Sequence, residues 1–273
     1  MNYSEEMFSL RDVRAVVSGG AGVLPRIMAE ALVRAGASVS LWGRGTGHPV
    51  SEAVSALAET TGAPERVFGE TVDTGDSAAV EAALEATTSA MGAPNLLVNG
   101  VGGNKGKSDF VDIDPETFSE VLEMNLLAGF ITPTQIFARR WLAEGVAGSI
   151  INLASMTSYK ALSGVWAYNA AKSAVKNLTE GAAREFGPAG IRVNAIAPGF
   201  FLGHQNRALL IEDDADDTLT PRGRAIIDRT PFGRFGRAEE IAGVTVFLAS
   251  RAASGFVSGA TIPVDGGFLT NNI

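Results

Sequence analysis

Apolar side chains fall along the chain in two alternating rhythms. Short runs rich in β-branched residues recur at Val13 to Ser18, Ser38 to Trp42, Arg66 to Val72, Asn95 to Asn99, Ser149 to Leu153, Ile191 to Ile196 and Thr261 to Val264. Between them lie longer stretches with helical spacing and Ala/Glu/Leu-rich composition, such as Asp76 to Met91 and Pro115 to Glu144. The first kind predicts strands and the second helices. Strands that are apolar at nearly every position are covered on both faces. The alternation therefore predicts an α/β fold, a doubly wound parallel sheet of about seven strands with helices on both faces. Asp114-Pro115 reads as N-cap and first helical residue, and Gly92-Ala-Pro94 and Gly187-Pro188 read as stops. The stretch from Gly199 to about Gly236 is irregular and too long for an ordinary connection, which predicts a substrate lid at about 199–236.

Composition narrows the possible chemistry. The chain has 273 residues, 46% of them hydrophobic, and shows no repeat or low-complexity linker, so residues 1–273 are expected to form one domain. Without cysteine there is no disulfide framework, thiolate nucleophile or Cys-ligated zinc, and two histidines, His48 and His204, are too few for a His-rich site; no metal is expected. Apolar stretches such as Ile191 to Ala197 fall far short of the ~20 residues that span a bilayer, and the start MNYSEEMFSL is acidic where a signal peptide is basic. A cytoplasmic protein with no membrane partner is expected. The net charge of −8 argues against nucleic acid, whose binders carry a basic face. Five of the 30 acids fall in one run, Glu212, Asp213, Asp214, Asp216 and Asp217, and five arginines follow from Arg222 to Arg237, so the bulk charge does not exclude an anionic small molecule.

Two constellations carry chemistry. Ser18-Gly19-Gly20-Ala21-Gly22-Val23-Leu24-Pro25 follows the first strand and opens the first helix. Glycines there let the backbone approach a pyrophosphate whose charge the helix N-terminus stabilises, which would make the sheet Rossmann-like; alone, the cluster also reads as an ordinary turn. The second is Tyr168-Asn-Ala-Ala-Lys172, with Ser155 thirteen residues before the tyrosine. At i and i+4 on a helix both side chains project from one face. An ammonium beside a phenol favours the phenolate, so such a tyrosine is expected to have a lowered pKa and to exchange a proton with an alcohol or carbonyl oxygen. The same spacing also occurs as a surface helix pair.

Together these residues resemble the classical short-chain dehydrogenase/reductase family over nearly the whole chain. The resemblance continues through Asp73 and Thr74 after the third strand, Asn99-Gly100-Val101-Gly102 after the fourth, and Asn125 in the next helix. Pro198-Gly199 after the sixth strand and Asp265-Gly266-Gly267 near the end complete it. Within the family, Gly102-Gly103-Asn104, Pro198-Gly-Phe-Phe-Leu202, Gln205-Asn-Arg207 and Arg234-Phe-Gly236 are similar to the D-mannonate oxidoreductase branch. The resemblance implies a catalytic set of Asn125, Ser155, Tyr168 and Lys172: Tyr168 as general acid/base, Lys172 on the nicotinamide ribose, Ser155 on the reacting oxygen, and Asn125 holding a water that links Lys172 to solvent. It implies cofactor contacts from Ser18, Gly19, Gly22, Val23, Leu24, Arg44, Asp73, Thr74, Asn99, Gly100, Val101, Tyr168, Lys172, Pro198, Gly199 and Phe201. It also implies pairing through the Asn125 and Tyr168 helices and the last strand, hence a homotetramer.

Three departures qualify the resemblance. Pro25 replaces a glycine that allows close helix-to-strand packing, although proline suits a first helical turn. Gly203 replaces a threonine that would contact the carboxamide, leaving the task to other groups such as the backbone of Phe201 and Leu202. Leu41-Trp42-Gly43-Arg44 lacks the acid that NAD-specific members place on the ribose 2′-hydroxyl; Arg44 would instead pair with a 2′-phosphate, so NADP(H) is favoured with NAD(H) possible. Four of the five lysines, Lys105, Lys107, Lys160 and Lys172, lie in family site segments, where they would meet an anionic substrate group or stand solvated in loops. Candidate substrate residues are Asn104, Lys105, Lys160, Trp166, His204, Asn206 and Arg207. Trp166 reads equally as an apolar wall and as helix packing, and His204 as a reader of substrate hydroxyls or a loop stabiliser.

The resulting expectation is an NAD(P)-dependent oxidoreductase acting on a secondary alcohol or ketone of a sugar, sugar acid or related polyol. The alternatives are a reductase of a 3-oxoacyl or small aromatic ketone, or a non-catalytic nucleotide-binding scaffold. Intact Ser155, Tyr168, Lys172 and Asn125 argue against a scaffold, which needs none of them.

Overall fold

In the computed structural model the seven apolar runs pair as one parallel sheet, in the order β3-β2-β1-β4-β5-β6-β9. The structure describes residues 2–47, 49–203, 207, 210–213 and 218–270. The strands are β1 (Arg14–Ser18), β2 (Ser38–Gly43), β3 (Val67–Thr71), β4 (Leu96–Asn99), β5 (Ser149–Leu153), β6 (Arg192–Pro198) and β9 (Thr261–Val264). The helices are α1 (Tyr3–Phe8), α2 (Val23–Arg34), α3 (Val50–Thr61), α4 (Ser77–Met91), α5 (Pro115–Leu122), α6 (Thr132–Glu144), α7 (Trp166–Phe186), α8 (Pro221–Ile227) and α9 (Ala242–Ala249). The Asp114 start signal acts as read, its side chain accepting a hydrogen bond from the Thr117 N–H in the first turn of α5, and Asp76 caps α4 in the same way.

Alternate strand residues feed two separate cores, which is why the central strands are apolar throughout. Val17, Val98 and Ile151 join Met28, Leu32, Leu57 and Leu248 from α2, α3 and α9 on one face. Val16, Leu97 and Ile150 join Leu84, Phe137 and Trp141 from α4 and α6 on the other. In the second core Trp42 meets Phe137 edge to face at 5.7 Å, and Phe137 meets Trp141 at 5.5 Å. Thr87, fully buried, accepts the Trp42 indole N–H at 3.1 Å and bonds the Ser40 hydroxyl at 3.3 Å. Thr87→Val keeps the shape but strands the indole donor. It is expected to cost about 1–3 kcal/mol in urea unfolding with an unchanged m value.

Three features differ from the sequence expectation. The helix from Pro115 to Glu144 is continuous but π-helical over Glu123–Ile131. By length and composition it could also cross a membrane, with mean hydropathy 1.2, against the expectation of no such stretch; half of that span is buried, and it packs on α4 and α7. The irregular stretch after Gly199 contains a short antiparallel hairpin, β7 (Ile211–Asp213) with β8 (Thr218–Leu219), followed by α8. The expectations placed on His204, Gln205 and Asn206, and on Asp214, Asp216 and Asp217, concern residues outside those described.

Strand order reverses between β1 and β4, which pair side by side while their crossovers run to opposite faces of the sheet. At such a switch point the loops leaving the two carboxyl ends diverge and open a crevice.

Candidate active site

The crevice is a groove of about 980 Å³, lined from Gly19 and Arg44 at one end to Tyr168 and the Pro198–Gly203 loop at the other. Gly19 sits at φ +66°, and a Cβ there would lie 2.7 Å from the Gly100 carbonyl oxygen, so the turns after β1 and β4 touch backbone to backbone. Gly22 caps α2 without a side-chain hydrogen bond and donates its own N–H to Gly19, while Pro25 has no N–H to give. The orphan donors of the first turn are therefore the N–H groups of Val23 and Leu24, at a helix end with no acid in its first turn. The Pro25 ring is accommodated by Gly100, where a Cβ would come within 2.7 Å of Cγ. The departure at Pro25 is thus absorbed by a glycine in the facing turn.

Of the residues expected around a cofactor, Gly19, Gly22, Val23, Leu24, Arg44, Asp73, Thr74, Gly100, Val101, Tyr168, Lys172, Pro198, Gly199 and Phe201 line the groove. Ser18 and Asn99 are placed beneath it instead. The Ser18 hydroxyl accepts the Gly100 N–H at 3.1 Å, and the Asn99 amide donates to Thr134 and Asn152 at 3.0 and 2.8 Å, tying strand ends together. Glu120, Glu123, Met124 and Leu127 also line the groove and were not anticipated. Their helical spacing on one stripe was the available signal.

At the reaction end, β5 delivers Ser155 and α7 delivers Tyr168 and Lys172. Ser155 and Tyr168 both line the groove, and the Lys172 ammonium stands 5.6 Å from the centre of the tyrosine ring. Lys172, 4% exposed, donates to the Leu153 carbonyl at 2.8 Å. Burial without a carboxylate partner pushes it down from 10.5 to about 8. Burial also pushes the Tyr168 phenol up, with the Ser155 bond pulling it partly back. This corrects the expectation of a lowered tyrosine: burial is the largest effect on the phenol.

Asn125 explains the π-helical turn. Its Nδ2 donates to the Val121 carbonyl one turn earlier at 2.8 Å and to the Gly103 carbonyl at 2.7 Å, while its Oδ1 accepts the Gly103 N–H at 3.0 Å. A side chain that takes an i−4 carbonyl displaces the ordinary ladder bond and widens the turn. The widened helix lies so close to the β4 loop that a Cβ on Gly129 would sit 2.6 Å from the Val101 carbonyl oxygen. A Cβ on Gly102 would lie 2.6 Å from Asn125 Oδ1 and 3.1 Å from Lys172 Nζ, so the two groups bound one small space kept open by a glycine.

Of the candidate substrate residues, Lys105 reaches the groove lining, where it is ion-paired with Glu120. Asn104 closes its own turn by donating to the Gly106 carbonyl at 2.8 Å, and it does not line the groove. Trp166 takes its packing role: its indole donates to the Ser108 carbonyl at 3.0 Å and its ring meets Phe110 edge to face at 5.2 Å. Lys160 and Arg207 also lie outside the lining, and His204 and Asn206 fall outside the described residues. The Leu202 N–H, considered as a carboxamide contact, is engaged with the Gly236 carbonyl at 3.2 Å. Among the described residues no group of three or more His, Asp or Glu side chains is placed to hold a metal ion.

Comparison with known proteins extends this picture. Residues 24–269 match the family model described as enoyl-(acyl carrier protein) reductase. An uncharacterized oxidoreductase of Bacillus subtilis is 38% identical over 270 residues, covering 93% of this chain and 94% of its own length. A solved gluconate 5-dehydrogenase from Burkholderia cenocepacia, in complex with NADP and tartrate, is 32% identical with a TM-score of 0.85, over 99% of this chain and 100% of that one. A Haemophilus influenza protein proposed as a D-mannonate oxidoreductase, with bound NAD, is 30% identical with a TM-score of 0.87, over 99% of both chains.

Proposed function

The chain belongs to the short-chain dehydrogenase/reductase family, and from that premise we propose that it interconverts a secondary alcohol and ketone of a sugar acid, with NADP preferred over NAD. One observation carries this reading: the Tyr168 phenol, beside the Lys172 ammonium, opens together with Ser155 into the same groove as the uncapped start of α2. The groove fits a dinucleotide. Val23 and Leu24 offer backbone donors to a pyrophosphate, the glycine turns remove side chains from its path, and Arg44 stands exposed beyond β2.

A bound nicotinamide would supply the hydride acceptor and donor. Tyr168 takes the hydroxyl proton in oxidation and gives it back in reduction, and Ser155 hydrogen-bonds the reacting oxygen. Lys172 supplies positive charge beside the phenol and a donor for the ribose. Asn125 fixes the Gly102–Gly103 turn and keeps an Oδ1 lone pair for a water leading from Lys172. Ser18 and Asn99 act one layer below, by holding the turns that touch the cofactor.

The sugar-acid assignment draws on the similarity to a gluconate 5-dehydrogenase and to a protein proposed as a D-mannonate oxidoreductase, and on Lys105 in the lining. Lys105 is the group that enters the groove, and Lys160, His204, Asn206 and Arg207 remain the further candidates for the substrate side, while Asn104 and Trp166 serve local packing. Trp42 is buried in the core, so β2 ends without a carboxylate and Arg44 is the group available for a 2′-phosphate. Arg44→Ala is expected to raise KM for NADP roughly tenfold or more and to leave KM for NAD within about threefold. Equal effects on both would remove Arg44 from cofactor choice.

We place the protein in the cytoplasm as a homotetramer. Leu178, 38% exposed on α7, and the sheet-edge strand β9 support that assembly. Screening sugar acids, neutral sugars and polyols with NADP and NAD, by absorbance of the reduced cofactor, tests the reading. Turnover confined to acyl or aromatic ketones would replace it with the reductase alternative.

A further inference from the structure

The nicotinamide end of the groove is backed by empty space. Phe200 and Phe201 line both the groove and a second cavity of about 170 Å³ behind it. A ring with a void at its back needs something to hold it forward, because packing on one side alone does not fix its position.

A strap formed by residues 230–240 supplies that support. Gly236 donates its N–H to the Phe200 carbonyl at 2.9 Å and accepts the Leu202 N–H at 3.2 Å, forming an isolated parallel bridge centred on Phe201. The Phe201 ring lies directly against this glycine: a Cβ there would come within 2.8 Å of Cε1 and 2.9 Å of Cδ1. The strap is tied at both ends. Arg234 makes a two-pronged contact with Glu240, at 2.8 and 2.7 Å, and the Arg237 N–H donates to the same carboxylate at 2.8 Å. Arg234 and the Arg237 N–H hold that carboxyl down at about 2. On the other side the Phe232 N–H donates to the Gly266 carbonyl at 3.1 Å, next to the end of β9.

The supported loop follows β6, which pairs with β5, so it faces the strand end that delivers Ser155. Hydride transfer requires the nicotinamide to lie beside the carbon whose oxygen meets Ser155 and Tyr168. The Phe200–Leu202 loop is therefore next to the nicotinamide and remote from the adenine end at Arg44. We propose that Gly236 and the Arg234–Glu240 pair are positioning residues that hold Phe201 against the nicotinamide half of the cofactor and so set its affinity. The inference rests on the dinucleotide reading above.

Two variants and two ligands test it. Gly236→Ala drives a methyl into the Phe201 ring, and Glu240→Gln weakens the two-pronged contact at a half-exposed position without touching the core. Kd is measured by calorimetry for NADPH and for adenosine 2′,5′-bisphosphate, which lacks the nicotinamide half. Gly236→Ala is expected to weaken NADPH binding roughly tenfold. Glu240→Gln should weaken it about threefold, and both variants should hold the bisphosphate within about twofold. Parallel loss of both ligands, or no change in either, overturns the positioning role while leaving the dinucleotide reading intact. A wild-type protein that binds neither ligand overturns both.

Discussion

Tyr168→Phe is expected to lower turnover about 1000-fold or more while changing dinucleotide affinity by less than about threefold. The phenol is the titratable group on which the Ser155 hydroxyl acts. Phenylalanine keeps the ring and its 5.6 Å contact with the Lys172 ammonium, so the groove wall survives and only the proton carrier is lost. Measuring kcat beside a fluorescence-derived Kd separates the two effects. A kcat within about tenfold of wild type would show that another group moves the proton.

Lys172→Met is expected to reduce kcat/KM for alcohol oxidation about 100-fold near pH 7 and to move the rising limb of the pH–rate profile upward by about one unit or more. Burial already pushes the Tyr168 phenol up, so removing the adjacent positive charge leaves the phenolate still harder to form. The substitution also has a stability signature. The lysine falls from 10.5 to about 8 in the folded protein, so between those values the unfolded chain binds the extra proton. This group's contribution to stability therefore rises as pH goes from about 8 to 10.5, and below about 8 the full cost of a buried ammonium is present. Urea midpoints compared at pH 7 and pH 10 should show wild type gaining relative to Lys172→Met. An identical pH dependence for the two proteins would mean that the ammonium is not buried.

The parts of the molecule legible in the sequence are those that repeat or carry unusual residues. Central strands such as Leu96–Asn99 are buried at every position, so their apolar runs were unmistakable, and Asp114-Pro115 marked the start of α5 through backbone rules alone. Tyr168 and Lys172 stood out by helical spacing and Gly19 by its place after a strand. What could not be read depends on contacts between distant segments. The π-helical turn arises because the Asn125 amide bonds both Val121 and Gly103, and nothing in the local pattern marks an asparagine that does so. Room for the Pro25 ring comes from Gly100, distant in sequence, and the glycine loop alone carries no sign of it. The direction of the Tyr168 shift reversed because burial is a property of the folded neighbourhood, not of the Tyr-x-x-x-Lys spacing. Trp166 was open between wall and packing, and only the positions of Ser108 and Phe110 decided it. The β7–β8 hairpin is too short to leave a periodic signature.

The central claim is that hydride passes directly between a sugar-acid carbon and the cofactor while Tyr168 handles the proton. Its most direct test is oxidation of a sugar acid carrying deuterium at the reacting carbinol carbon, with NADP, followed by mass spectrometry of both products. The account predicts one deuterium in the reduced cofactor for each ketone formed. Ketone formed with the label washed into solvent, or without any reduced cofactor, would contradict it.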